Sequence, residues 1–286
     1  MTAVELVSVF TRDGSGGNPC PIVLDAHGMS AADMQEVARR YGHESGFVLR
    51  SESDDHDFAF RFFVPNHEME MCGHATIGAL WLLARHGRIS ANSVRISTRS
   101  GTVTGFIRRD DDGEADIEIT QPAGKTVPLT PAQSDDVLQA LGIGSEAVSD
   151  LPLCNASTSR VKTLIPIKSP DALNALAPSV QAVEAVCNRI GSTGLYPYAV
   201  VERASRLFEA RQFPRSSGYL EDAATGIAAA ALAFGLLDNG LIEPNDETVR
   251  ILQGRAMGSL SEIRVRIGFA GGRPIGCLLG GAVVAT

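Results

Sequence analysis

The sequence predicts an α+β fold made of two similar halves, each a curled, mostly antiparallel sheet or barrel around one central apolar helix. Three observations support this. The chain has 286 residues, enough for two domains of ordinary size. Short strand patterns outnumber helical ones along its length. Two stretches, 75–84 and 227–237, are apolar on nearly every side, which is typical of helices enclosed by other elements.

The first half combines strands with two helices. Strands are predicted over residues 4–10, 46–50, 58–64, 93–98, 102–108 and 114–120. Ser30 and Asp33 form a variant capping box that starts a helix ending near Tyr41. The glycine-rich run 14–18 looks like a phosphate-binding loop, but the prolines that follow it exclude the helix into which such a loop opens.

The second half repeats this order. Residues 121–133 contain three prolines and are predicted to be a linker. Helical patterns follow near 134–141 and 170–188, and strands are predicted over 163–167, 195–201, 205–212, 248–253, 262–269 and 275–284. We therefore expect an N-terminal domain of residues 1–120 plus 271–286 and a C-terminal domain of residues 134–270.

The surroundings of the two apolar helices match after a shift of 153 residues. The shift places Gly73 on Gly226 and Gly87 on Gly240. Such a glycine-rich helix start presents unpaired backbone N–H groups and a partial positive charge. Two starts facing one interdomain cleft would bind a carboxylate or stabilise an enolate-like anion, and side chains beside them, among them Glu221, would line that cleft.

Composition excludes several classes of protein. The net charge of −8 argues against nucleic-acid binding and against adhesion to an anionic membrane. The N-terminus lacks the basic start of a signal peptide, and no apolar run is long enough to span a bilayer. Five scattered cysteines without a CxxC pair argue against disulfides and structural zinc. A reducing cytoplasm is the expected location.

Spaced motifs over nearly the whole chain resemble the signatures of the PhzF-like proteins of phenazine biosynthesis. In chain order they are Gly17-Asn-Pro19, Glu44-Ser-Gly-Phe-Val48, Arg61-Phe-Phe-Val-Pro65 with Glu70-Met-Cys-Gly-His-Ala-Thr76, Glu221-Asp-Ala-Ala-Thr-Gly226, and Gln253-Gly254 with Met257-Gly258. The resemblance implies a diaminopimelate-epimerase-like fold of two pseudo-symmetric domains, an active site in the cleft and a homodimer. It also implies no cofactor and no metal. The family archetype isomerises dihydro-hydroxyanthranilate by moving a proton, with one glutamate as acid and base.

Carried over residue by residue, the resemblance makes Glu44 the glutamate that moves the proton. His74 and Asp222 are its implied polar partners in catalysis, acting on a small carboxylate substrate. The implied substrate-binding positions are Asn18, Cys72, Gly73, Thr225, Gly226 and Ile227. A general base at Glu44 needs a raised pKa, which we expect from burial against Phe47 and neighbouring apolar groups.

Departures from the family pattern bear on the substrate. Ala223 replaces the family's proline, and Ile227 replaces its serine, which removes a hydroxyl group from the expected cleft. Gly258 is followed by Ser259 and Leu260 instead of arginine and proline. These changes leave the class of chemistry intact and predict a more apolar cleft than that of the archetype.

The sequence is also compatible with other functions. A cysteine at a helix start can have a lowered pKa, so Cys72 with Glu44 could serve an amino-acid racemase or epimerase. A two-thiol racemase needs a second cysteine at the start of the other apolar helix. This sequence has Thr225 or Ala224 there, which disfavours that reaction. A non-catalytic binder of small molecules on the same scaffold is the alternative from another class. His67, Cys72 and His74 lack the spacing of a known metal motif, so no metal site is predicted.

Overall fold

The computed structural model describes residues 3–216 and 219–286 of the chain. The chain divides into two compact units, which we call unit 1 (Met1–Thr120 with Leu279–Thr286) and unit 2 (Gln121–Leu278). The C-terminal boundary between them therefore lies later in the chain than the expected position at residue 271. The last residues of the chain return to unit 1, where they pair with its first strand.

Strands outnumber helices in both units. They are β1 (Glu5–Thr11), β2 (Asn18–Val23), β3 (Ser45–Arg50), β4 (Phe58–Phe63), β5 (Glu68–Met69), β6 (Ser93–Thr98), β7 (Gly101–Arg109), β8 (Ala115–Pro122), β9 (Lys125–Pro128), β10 (Cys154–Ser157), β11 (Val161–Pro166), β12 (Gly194–Glu202), β13 (Leu207–Ala210), β14 (Phe213–Pro214), β15 (Val249–Gln253), β16 (Ser261–Ala270), β17 (Arg273–Gly280) and β18 (Ala282–Ala285). The helices are α1 (Ala31–Tyr41), α2 (Gly73–Arg85), α3 (Pro131–Leu141), α4 (Pro170–Asn174), α5 (Val180–Ile190) and α6 (Gly226–Asp238).

The strand pairing is the same in the two units. In unit 1 the order is β18–β1–β2–β3–β4–β6–β7, with β2/β3 and β4/β6 parallel and the other pairs antiparallel. In unit 2 the order is β9–β10–β11–β12–β13–β15–β16, with β11/β12 and β13/β15 parallel. Parallel pairs fall at equivalent steps because helices connect them in both units. The predicted internal repeat is therefore confirmed as a repeat of topology.

Each unit wraps its sheet around one buried helix. Helix α2 contacts β1, β2, β3, β7 and β18, and α6 contacts β9, β10, β11 and β16. Both helices have 13 residues, and their starts are 153 positions apart, as predicted. Gly87 and Gly240 follow their C-caps with φ of 67° and 63°, the left-handed conformation in which glycine ends a helix. Within the described residues, no helix is long and apolar enough to cross a membrane.

Helix α2 packs closely on the sheet at two glycines. A Cβ at Gly46 in β3 would lie 2.9 Å from the Cδ1 atom of Ile22. A Cβ at Gly78 in α2 would lie 2.9 Å from the Cγ2 atom of Val7. The absence of side chains at these positions lets the helix approach the strands, which brings its N-terminus beside the start of β3.

The sequence interpretation differs from the structure in several segments, among them the expected linker, the expected helix 170–188 and the glycine-rich run. Residues 121–133, expected to be a linker, contain the end of β8, strand β9 and the first turn of α3. Their prolines stand at strand ends and at the first position of a helix, where a missing N–H is tolerated. The expected helix 170–188 is two helices, α4 and α5, separated at residues 175–179. The glycine-rich run leads into strand β2.

Candidate active site

In unit 1, Glu44 lies in the short turn between α1 and β3. Gly42 ends α1 in the left-handed conformation, with φ of 71°, so the chain reverses directly before Glu44. The Cys20 thiol of β2 donates to the backbone carbonyl of Glu44 at 3.0 Å. The Glu44 side chain keeps 33% of its surface exposed, so it is less buried than the sequence interpretation expects.

Two side chains from the start of α2 contact the Glu44 carboxylate. Cys72 is the N-cap residue of the helix, and its thiol donates to Oε2 of Glu44 at 3.4 Å. His74 lies in the first turn, with its Nδ1 atom 3.5 Å from the same oxygen. Both side chains are buried, whereas the carboxylate reaches solvent. The structure thus brings together three of the residues that the resemblance assigned to the site.

Burial determines the protonation of the two partners. It raises the pKa of the Cys72 thiol well above its usual value, and the negative charge of Glu44 raises it further. The fall in the Cys72 pKa that its position at a helix start suggested is therefore wrong in sign. Burial also lowers the pKa of His74, and this effect outweighs the opposing attraction of Glu44. Glu44 is thus contacted at neutral pH by an uncharged thiol and an uncharged imidazole.

The same three side chains carry atoms that can bind a metal ion. One ligand atom from each of Glu44, Cys72 and His74 lies within 4.8 Å of the others. The Cys72 sulfur is 3.5 Å from Nδ1 of His74 and 3.9 Å from Nε2. A sulfur that shares a metal with one ring nitrogen lies much farther from the second, because the ion sits on the lone pair of the first. The thiol lies beside the imidazole ring instead, so this geometry is not that of a metal site.

In unit 2, Asp222 and Thr225 form a turn at the start of α6. Thr225 is the N-cap residue, and its hydroxyl donates to Oδ2 of Asp222 at 2.5 Å. The Asp222 N–H donates to the carbonyl of Gln212 at 3.0 Å. The positions equivalent to Cys72 and Gly73 of unit 1 are Thr225 and Gly226. Ile227 follows in the first turn and is half-buried.

A buried amide that the site assignment missed lies beneath this turn. The Nε2 atom of Gln253 donates to the Asp222 carbonyl at 2.7 Å and to the Thr225 hydroxyl at 3.2 Å. Its Oε1 atom accepts from the Tyr196 hydroxyl at 2.9 Å and from the Thr225 N–H at 3.3 Å. Gln253 belongs to the last of the spaced motifs, and this was the sequence signal that could have identified it. Tyr196 belongs to none of the motifs, so no sequence signal indicated it.

A bidentate arginine–glutamate pair precedes the central helix in each unit. In unit 1, Arg61 of β4 donates to both carboxylate oxygens of Glu68, at 2.8 and 2.9 Å. In unit 2, Arg211 donates to both oxygens of Glu221, at 2.9 and 2.7 Å. Glu221, which was expected to line the cleft, is therefore bound to an arginine and nearly buried, with 8% of its side chain exposed.

Asn18 lies on a different element from the other predicted site residues of unit 1. It begins β2 and lies opposite Val9 of β1. The preceding residue, Gly17, has φ of 83°, and a Cβ there would lie 2.8 Å from the Val9 carbonyl. The turn that leads to Asn18 therefore requires glycine. Its role in binding substrate remains a prediction.

Comparison with known proteins shows to which class of protein the chain belongs. The trans-2,3-dihydro-3-hydroxyanthranilate isomerase of Pseudomonas fluorescens is 29% identical over 254 residues, which cover 88% of this chain and 86% of that protein. The uncharacterized isomerase YddE of Escherichia coli O157:H7 is 29% identical over 283 residues, with coverage of 97% and 94%. A PhzF-family crystal structure from Bacillus anthracis superposes with a TM-score of 0.87 at 24% identity and covers 99% of this chain and 96% of its own.

These similarities define an isomerase with a diaminopimelate-epimerase-like fold, as the sequence motifs predicted. A family model described as phenazine biosynthesis-like protein, PhzC–PhzF, matches residues 7–284. The chain belongs to this family.

Proposed function

We propose that this protein is a cofactor-independent isomerase that moves a proton within a small carboxylate substrate, with Glu44 as the acid and base. The Glu44 carboxylate takes a proton from a carbon that is made acidic by an adjacent carboxyl, imine or enol group. The electron pair released from that C–H bond is delocalised into the substrate. The protonated Glu44 then returns the proton to a different carbon, so atoms and charge balance without a co-reactant.

The observation that carries the proposal is the environment of one oxygen, Oε2 of Glu44. Cys72 and His74 contact it at 3.4 and 3.5 Å, and burial keeps both of them uncharged. Uncharged partners form no ion pair with the Glu44 carboxylate, so it stays available as a base. His74 can also donate a hydrogen bond to the substrate, because an uncharged imidazole still carries one N–H.

We propose that backbone groups and Asp222 bind the substrate. The first N–H groups of α2 and α6, at Gly73 and Gly226, suit a carboxylate or an anion that develops during the reaction. Asp222 suits an amine or hydroxyl group, because a carboxylate accepts hydrogen bonds. Ile227 adds apolar surface next to Gly226. We also propose a homodimer in a reducing cytoplasm, where the five buried cysteines stay as free thiols.

The test is the substitution Glu44→Gln with trans-2,3-dihydro-3-hydroxyanthranilate as the first probe, followed by cyclic and amino carboxylic acids. The matched control is Glu52→Gln, which removes an exposed carboxylate after β3. Turnover and deuterium uptake from D₂O are followed by NMR. We expect Glu44→Gln to lower turnover by about 1,000-fold or more while the fold persists, because the general base is lost. Full activity in Glu44→Gln would reject Glu44 as the base.

The same experiment separates the two alternatives. The 3.4 Å contact between Cys72 and Glu44 is the observation that favours a racemase or epimerase. That reaction would incorporate deuterium at Cα with loss of optical rotation, whereas the proposed shift gives a constitutional isomer. Acids that bind and never exchange protons would indicate a non-catalytic binding protein. The raised pKa of the Cys72 thiol argues against its use as the second base.

A further inference from the structure

Gln253 lies at the end of β15, in the interior of unit 2. It pairs with Ala210 of β13 on one side and with Ser261 of β16 on the other, and its exposure is 0%. A side-chain amide can donate two hydrogen bonds and accept two, and all four are made here, to Asp222, Thr225 and Tyr196. A buried amide with an unpaired donor or acceptor would destabilise the folded protein, so the fold strongly favours this one arrangement of contacts.

The network also fixes the direction of each proton. The Asp222 carbonyl can only accept, so the NH₂ group of Gln253 must face it, and Oε1 then faces the Tyr196 hydroxyl. The Thr225 hydroxyl accepts from the same NH₂ group, at 3.2 Å. Its single proton is therefore free to point at Oδ2 of Asp222, 2.5 Å away. A hydrogen bond from a hydroxyl to a carboxylate is charge-assisted and holds that carboxylate in one orientation.

A second contact anchors the same turn. Gly254, directly after Gln253, has φ of 86°, and a Cβ at this position would lie 2.9 Å from the carbonyl of Ala223. The backbone at 254 thus packs against the turn that contains Asp222. The end of β15 therefore supports the start of α6 through a side chain and through the backbone.

The geometry points to Gln253 as a positioning residue for substrate recognition. Together with Tyr196 it fixes the turn from Asp222 to Thr225, and through the Thr225 hydroxyl it sets the orientation in which Asp222 accepts a hydrogen bond from the substrate. The substrate is therefore one that presents an amine or hydroxyl donor to Asp222. This inference rests on the proposed function, since it takes Asp222 to bind the substrate.

The experiment compares Gln253→Met with Gln212→Met. Gln212 is an equally buried glutamine nearby, whose amide atoms have no hydrogen-bond partner among the residues that the structure describes. Both variants lose a buried amide of the same size, but Gln253→Met alone loses the network. With trans-2,3-dihydro-3-hydroxyanthranilate we expect kcat/KM to fall about 100-fold in Gln253→Met, with KM raised at least ~5-fold, because a misplaced binding group impairs substrate alignment. Gln212→Met should keep both constants, because its backbone carbonyl still accepts from the Asp222 N–H and no side-chain hydrogen bond is lost.

Two milder variants keep the test decisive if Gln253→Met folds poorly. Tyr196→Phe removes one hydrogen bond, and we expect a loss in kcat/KM of less than about tenfold with a raised KM. Gln253→Glu keeps the shape but donates only when protonated, so its activity should decline as pH rises. A loss of folded protein lowers kcat and leaves KM unchanged. A folded Gln253→Met with the KM and kcat of Gln212→Met overturns the inference.

A separate readout applies if the wild-type protein turns over no probe, which would count against the proposed function. Amide hydrogen exchange at Thr225 is then measured by NMR in Gln253→Met and Gln212→Met. Loss of the bond to Oε1 and of the anchored turn should speed exchange at the Thr225 N–H at least ~10-fold in Gln253→Met only. Equal exchange in the two variants overturns the positioning role.

Discussion

The starts of α2 and α6 have the same backbone and different chemistry. Their N-cap residues, Cys72 and Thr225, have similar extended conformations, with φ and ψ of −137° and 114° in one and −124° and 91° in the other. Around Cys72 lie groups that can gain or lose a proton. Around Thr225, hydrogen bonds fix the protons of its own hydroxyl and of the Gln253 amide, and the hydroxyl proton points at the Asp222 carboxylate. Under the proposed function, one scaffold therefore carries proton transfer in unit 1 and substrate orientation in unit 2.

The arginine–glutamate pairs extend this contrast. The Arg61 and Glu68 side chains are 31% and 17% exposed, and Arg99 also contacts Glu68, at 3.1 Å. The Arg211 and Glu221 side chains are only 7% and 8% exposed. Arg211 further donates to three carbonyls between Leu173 and Leu176. The second pair therefore ties the segment before α6 to the end of α4, whereas the first lies near the surface.

Replacing these arginines should give the largest difference between the units. We expect Arg211→Met to lower the free energy of unfolding by about 3–5 kcal/mol, because it leaves the Glu221 carboxylate buried without its partner. Arg61→Met should cost about 1 kcal/mol, since its pair is partly solvated and Glu68 keeps Arg99. Urea denaturation measures both. Adding Glu221→Gln to Arg211→Met should recover part of the loss, and equal losses in the two single variants would contradict the contrast.

The elements around the central helices were predictable because their signals are local. The Ser30–Asp33 capping box, the hairpin of β3 and β4, and the glycines after α2 and α6 all lie where the sequence indicates. Strand β2 was missed because it contains Pro19 and Pro21. Both prolines lie at alternate positions along the pairing with β1. Strand β3 pairs only with the last two residues of β2, which are not prolines. The missing N–H groups therefore remove few hydrogen bonds between strands.

The two N-cap side chains give the next test. Thr225→Ala removes the hydroxyl that links Gln253 to Asp222, and we expect kcat/KM to fall about tenfold, as a positioning hydrogen bond is lost. Cys72→Ala should retain more than about a third of wild-type activity, since the raised pKa of the thiol leaves it protonated beside Glu44. Steady-state kinetics compare them, and Thr225→Ser should restore the loss. A loss in Cys72→Ala as large as that in Glu44→Gln would instead assign catalysis to the thiol.

The candidate site was less predictable than the fold. Glu44, Cys72 and His74 were found through the motif resemblance, and their contacts depend on how closely α2 packs against β3. The amide of Gln253 reaches Thr225 across 28 positions of sequence, so no local pattern indicates it. The protonation of Cys72 could not be predicted from the sequence either. The sign of its pKa shift depends on burial, which outweighs the effect of the helix start.

The smallest expected effect concerns His74 and the acid stability of unit 1. Burial lowers the pKa of His74 in the folded protein, against about 6.5 when unfolded. The groups acting on it are Glu44, which favours its charged form, and His43, which opposes it. Below pH 6.5 the unfolded chain therefore binds a proton that the folded chain does not, and stability falls as pH falls, by up to about 1.4 kcal/mol per pH unit until the lowered pKa is reached.

His74→Asn should remove this contribution, so that its stability depends less steeply on pH than that of the wild type between pH 6.5 and 5. The control is His67→Asn, at an exposed position before the same helix, which should keep the wild-type slope. Urea denaturation at a series of pH values measures the three proteins. Identical slopes in all three would mean that His74 is not held neutral by burial. The proposed function would then lose one of the two uncharged partners that it assigns to Glu44.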